Sequence, residues 1–273
     1  IGSVADGRQM IWTAIAMAET GEIAQARDRD FTFARPATGD AVSRYGMGMS
    51  FAQLPAAWLA PAVESRFGAG ASQPLFLLAP LFFTLLGAWA AGRIAAELGG
   101  GATAVAAAIF LASIASPLGS YAAMEFSEPM QGATLALGLL MSIRGRGAAA
   151  GFAAGLALLT KSANLVVAPL TLLPLWKRRR FAGAAISFGL VAALWLAFEI
   201  SRFGAPLANY PGEGFTNPIW EGTWRLLFSV TEGLVLSVAA GAVGLSAGVQ
   251  DAAAGGHPLA AGAARAHRAD PRG

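Results

Sequence analysis

The chain has 273 residues, of which 55% are hydrophobic and only 13% charged, and its mean hydropathy is +0.55. Soluble domains carry about 25% charged residues, so the composition excludes an ordinary soluble domain and reads as a polytopic membrane protein of the all-α class. The absence of cysteine excludes disulfides and thiolate metal sites, and a net charge of +3 is too small to indicate a nucleic-acid partner.

Residues 1–66 are expected to form an extracytoplasmic first loop carrying juxtamembrane helices. Met10, Ile11, Ala14, Met17 and Ala18 fall on one helical face, and Gly21 is a plausible stop. Asp6 precedes this pattern. It reads as an N-cap accepting free backbone amides, or as a carboxylate held at the membrane surface over a cavity; the two roles are compatible. The segment Ser43-Arg44-Tyr45-Gly46 introduces an apolar stretch, 47–63, containing Pro55 and Pro61. Its length and two prolines predict an interfacial helix rather than a span.

Residues 67–250 are expected to hold a bundle of about seven membrane helices, since a span needs about 20 mostly apolar residues. Charge-free runs occupy 67–92, 98–124, 129–143, 147–160, 162–176, 181–198 and 233–250. The three middle runs are short, which flanking side chains tolerate by snorkelling, or two of them merge across Lys161. Arg93, the pair Arg144 and Arg146, and the run Lys177, Arg178, Arg179 and Arg180 are expected in the cytoplasm by the positive-inside rule. Helices at 74–92, 130–143 and 163–176 then run inward, and 102–120, 147–160 and 181–198 run outward. Residues 200–223 become an external loop rich in Gly, Pro and aromatics. This map gathers Asp6, Asp40, Glu125, Glu128, Lys161 and that loop on one side of the membrane. Residues 251–273 read as a disordered Ala/Gly/Arg-rich tail. Residues 1–46 are too polar to span, so a further membrane helix is expected upstream.

Lys161 is the only charge between Arg146 and Lys177. An ammonium at a helix centre costs roughly 2.5–3.5 kcal/mol on insertion scales, so it either snorkels to an interface or meets an anion such as phosphate or carboxylate. In Ser127-Glu128-Pro129, Ser suits an N-cap, the acid suits the positive end of a helix dipole, and Pro is tolerated in the first turn. Glu125 adds a second acid beyond what one helix end needs. The sequence contains no phosphate-binding glycine loop and no nucleophile elbow. His257 and His267, its only histidines, lie in the tail. A metal would therefore need carboxylates, with Asp6 and Glu128 as candidate ligands for a hard ion such as Mg²⁺ or Mn²⁺.

Several motifs together resemble the membrane glycosyltransferases of the GT-C superfamily, in particular the branch of the aminoarabinose and protein-mannosyl transferases and their bacterial relatives. They are Asp6-Gly7-Arg8-Gln9-Met10, Ser43-Arg44-Tyr45-Gly46, Ser127-Glu128-Pro129, Gly155-Leu156-Ala157-Leu158-Leu159-Thr160-Lys161, and Arg202-Phe203-Gly204-Ala205-Pro206-Leu207 followed by Leu227-Phe228-Ser229 and Glu232-Gly233-Leu234. The resemblance implies a sugar donor on a polyprenyl phosphate, an acceptor outside the cytoplasm, and a location in the cytoplasmic (inner) membrane. It implies Asp6 and Glu128 as catalytic carboxylates, and Lys161, Arg44, Tyr45 and Glu125 as substrate contacts. The sequence departs from the family pattern at Asp6-Gly7, where an Asp-Glu pair is usual, and at Gly46-Met47-Gly48, where a Pro-Pro turn is usual. The rival class is a membrane transporter or non-catalytic scaffold. Transporters place ionisable groups near the midplane in matched halves, whereas here the charges lie at segment edges without an internal repeat.

Overall fold

Helix accounts for 73% of the described residues. A computed structural model describes residues 5–25 and 32–206. The chain divides into a unit of residues 1–212 and one of 213–273, and every described residue belongs to the first. The expected helix at 233–250, the part of the external loop beyond residue 206, and the tail at 251–273 lie outside the described residues.

Helix α1, Ala5–Thr20, is the one that the periodicity over 10–18 predicts. It ends where Gly21 adopts φ 75°, with the Gly21 amide donating to the Met17 carbonyl at 3.1 Å. Ala5 extends the helix upstream of Asp6, which therefore lies within the first turn instead of capping it. A short antiparallel hairpin comes next, β1 Thr32–Ala34 and β2 Ala41–Ser43, registered Thr32 to Ser43 and Ala34 to Ala41. The sequence reading has no strands here, because three-residue strands carry too little alternation to be seen.

Helix α2, Met47–Phe67, runs unbroken through Pro55 and Pro61 and ends one turn beyond the expected stretch. Next come α3, Gln73–Phe76, and α4, Leu78–Glu97. The run 98–124 does not form one helix. It divides into α5, Ala102–Ser113, and α6, Pro117–Tyr121. The break is local chemistry: the Ser116 side chain caps α6 by accepting from the Leu118 amide, and Pro117 occupies the first turn. Helices α7, Glu128–Ile143, and α8, Gly147–Thr160, form the expected antiparallel pair, with Gly145 at φ 69° in the turn. Lys161 caps α8 in an extended conformation, so α8 does not merge with the next segment. The stretch expected as a membrane helix at 163–176 is instead a single α-turn, α9, Asn164–Val167, and a 3₁₀ helix, Ala168–Leu175. Pro169 and Pro174 remove amide donors there, favouring short, tight turns. Helix α10, Phe181–Phe203, extends into residues that the sequence reads as external loop.

Two stretches among the described residues, Gln73–Glu97 and Phe181–Phe203, are long and apolar enough to cross a membrane. On α4, Leu78, Leu81, Phe82, Leu85 and Trp89 point outward, and on α10 so do Ile186, Leu190, Leu194 and Ile200. Polar groups take interior places instead: Gln53, Thr84, Thr134, Glu199 and Arg202 are buried.

The tightest helix contact is set by glycine. Gly147, Gly151 and Gly155 repeat every fourth residue on α8. A Cβ at the first two would lie 2.0 Å from the carbonyl oxygens of Arg180 and Ala184, and at the third 2.5 Å from Val191 Cβ. This stripe of small residues lets the α8 and α10 backbones touch, as helices in lipid commonly do. Ala150, Ala154, Ala157 and Ala184 complete the seam with Leu172 and Leu175.

Candidate functional site

One end of the helix layer collects residues from distant parts of the chain. Glu128 opens α7 and Lys161 closes α8, so the antiparallel pairing of these helices brings them together. Lys161 Nζ donates to Glu128 Oε1 at 3.1 Å. Below this pair, Gln131 Nε2 donates to Asn164 Oδ1 at 3.0 Å, and Asn164 Nδ2 donates to the Ala157 carbonyl at 2.8 Å. Asn164 is fully buried. It therefore fixes the turn at residues 161–164, and with it the place from which Lys161 projects.

The segment between β2 and α2 supplies the facing wall. A Cβ on Gly46 would lie 2.1 Å from the Thr160 carbonyl oxygen, and one on Gly48 would lie 2.5 Å from Thr160 Oγ1. Glycine at both positions allows the start of α2 to sit directly on the end of α8. The result is a cleft of about 160 Å³ lined by Arg44, Tyr45, Glu128 and Lys161, with Met10, Phe126 and Ser162 also contributing. Tyr45 rests against a buried cluster of Met10, Met49 and Met130, which joins α1, α2 and α7 beneath the cleft.

Four of the six residues singled out from the sequence thus share one cleft. Glu125 does not line it. It is buried, and its backbone and Cβ approach Gly7 so closely that a Cβ there would lie 2.6 Å from Glu125 Cβ. The residue after Asp6 must therefore be glycine in this packing, and a bulky acid would not fit. Asp6 is placed only as backbone in the first turn of α1, and its side chain lies outside the described residues.

The electrostatics of the cleft are those of an exchangeable ion pair. The Lys161 side chain is 46% exposed and that of Glu128 29%. Such pairs contribute about 0–1 kcal/mol, so a stronger anion can take Lys161 from Glu128 at little cost. Glu128 Oε2 is buried with no hydrogen-bond partner among the described residues, which leaves an acceptor awaiting a donor. No group of three or more His, Asp or Glu suited to a metal occurs among the described residues. A lone carboxylate already paired with a lysine does not offer the oxygen set that Mg²⁺ requires. The expectation of a divalent ion therefore rests on Asp6.

Sequence reasoning missed a second ion pair at this end. Glu199 and Arg202, on the last turn of α10, are each 1% exposed, and Arg202 Nη2 donates to Glu199 Oε1 at 2.6 Å. Arg202 Nη1 donates to the carbonyls of Ser43 at 3.1 Å and Tyr45 at 2.7 Å. The i, i+3 spacing of opposite charges was the available signal. It is masked by the Gly- and Pro-rich residues that come after, which suggest a loop.

No family model, no curated protein and no solved structure matches this chain.

Proposed function

We propose that this chain is a membrane glycosyltransferase of the GT-C kind. It transfers a sugar from a polyprenyl-phosphate-linked donor to an extracytoplasmic acceptor (a lipid, a glycan or a protein). The observation that carries this reading is the convergence of Arg44, Tyr45, Glu128 and Lys161 on a single cleft. Two cations and one carboxylate with an unfilled acceptor oxygen form a set able to receive a phosphate on one side and a hydroxyl on the other. The outward apolar stripes on α4 and α10, with polar groups inside, support a bundle in lipid. The basic turns at 144–146 and 177–180 lie at the other end of α7, α8 and α10, which supports an extracytoplasmic cleft in the cytoplasmic membrane.

In the proposed reaction the acceptor hydroxyl attacks the anomeric carbon of the donor. The new carbon–oxygen bond forms as the bond from that carbon to the phosphate oxygen breaks, with its electron pair leaving on the phosphate. Lys161 and Arg44 offset the growing phosphate charge, Lys161 exchanging Glu128 for the leaving group. The hydroxyl proton passes to a carboxylate, for which Asp6 is the first candidate and Glu128 the second. Substituting Asp6→Asn or Lys161→Ala in the complete protein is expected to abolish sugar transfer from a polyprenyl-phosphate donor. Unchanged turnover in both variants would refute the assignment.

A further inference from the structure

We propose that Arg202 is a positioning residue for the cleft: it sets the backbone from which Arg44 and Tyr45 project, with Glu199 holding its charge in place. This deepens the reading of the cleft as a phosphate site and rests on it.

The two carbonyls that Arg202 Nη1 holds belong to Ser43 and Tyr45, the residues on either side of Arg44. Within the segment, the Tyr45 amide donates to Ser43 Oγ at 3.2 Å. The segment leaves a hairpin of two three-residue strands, and a lone two-stranded hairpin is marginal on its own. The support comes from α10. Besides the two Arg202 bonds, Arg35 Nε from the hairpin turn donates to the Ser201 carbonyl at 2.9 Å. From the opposite side, the Gly46–Thr160 contact stops the segment against the end of α8. Residues 43–46 are thus gripped between α10 and α8, with the Arg44 and Tyr45 side chains left to line the cleft.

The Arg202 guanidinium has its charge satisfied by Glu199 on its own helix, one turn back. Its Nη1 crosses to a segment more than 150 residues away in the chain, and both of that nitrogen's bonds land on the cleft wall. A planar fork with fixed donor directions can serve one carboxylate and two carbonyls together, which a lysine ammonium does less well.

The test uses the complete protein in detergent and compares the natural chain with Arg202→Lys and with the double variant Glu199→Gln/Arg202→Met, which leaves no orphaned charge. Two quantities are read: amide hydrogen exchange at 44–47 and at 150–158 on α8, and the Kd for farnesyl monophosphate by calorimetry. In the double variant, exchange at 44–47 is expected to rise about tenfold with 150–158 unchanged. The Kd is expected to weaken about tenfold, and Arg202→Lys to fall between. The clamp is overturned if exchange at 44–47 stays the same, if it rises equally at 150–158, or if the loop loosens while the Kd holds. If the natural chain shows no affinity for farnesyl monophosphate while 44–47 still loosens locally in the double variant, the clamp stands and the phosphate reading falls.

Discussion

The two ends of helices α7, α8 and α10 are built on different electrostatic plans. At the turn end, Arg144, Arg146 and the run 177–180 are basic. Their ties are partly exposed or made to backbone: Arg144 to Glu97 at 2.8 Å, and Arg180 Nη1 to the Gly145 carbonyl at 2.9 Å. At the cleft end, acids and bases are mixed, and they divide by burial. The Lys161–Glu128 pair faces the cleft, whereas Glu199 and Arg202 are sealed in. Charges that only orient a helix bundle can stay at its surface, where water screens them and their partners matter little. A charge pair taken into the interior loses its hydration, so both members must be bonded well. Positioning is therefore to be sought at the buried pair, and not at the larger cluster of charge.

Substitutions probe this contrast in descending order of effect. Arg202→Met, with Glu199 left in place, strands a buried carboxylate and is expected to cost about 3–5 kcal/mol in a denaturation assay. A loss no larger than that of a surface charge would erase the distinction between the ends. Gly151→Leu pushes a side chain into the Ala184 carbonyl on the seam that joins both ends. It is expected to cost about 3 kcal/mol by overpacking, seen as a lowered Tm with cleft and turn end failing together. Lys161→Ala and Glu97→Gln form a matched pair, since each breaks a partly exposed bridge. Both are expected to change stability by less than about 1 kcal/mol. Only Lys161→Ala should weaken farnesyl monophosphate binding, by about tenfold or ~1.4 kcal/mol. Equal binding losses in the two variants would mean that the cleft has no special claim on the anion.

Much of the helical plan is legible in the sequence because its causes are local. The Met10 to Ala18 periodicity ends at a glycine, and the basic turn of Arg144, Gly145 and Arg146 separates two apolar runs. Both features give helices at nearly the expected residues. Lys161 is legible as a candidate end residue, since a charge inside an apolar run is costly unless it reaches an edge or a partner. The alternative of a merged helix is closed only by its place as the C-cap of α8. Two runs mislead. Apolarity alone hides the Ser116-Pro117 start signal within 98–124 and the paired prolines within 162–176, so both stretches read as continuous helices where the chain turns or tightens. Arg202 reads as loop because Gly204 and Pro206 come after it, although the helix runs to Phe203.

Hydropathy, periodicity and capping act within a few turns of chain. From them alone come the helical class, the segregation of basic turns from the mixed-charge edges, and the short list from which the cleft is drawn. Three outcomes needed the packed molecule: that Arg44, Tyr45, Glu128 and Lys161 share one cleft, that Gly7 is matched to Glu125, and that α10 grips the hairpin through Arg202. They depend on close backbone approaches at Gly7, Gly46 and Gly48 and on hydrogen bonds spanning more than 150 residues, and no local pattern encodes such a distance.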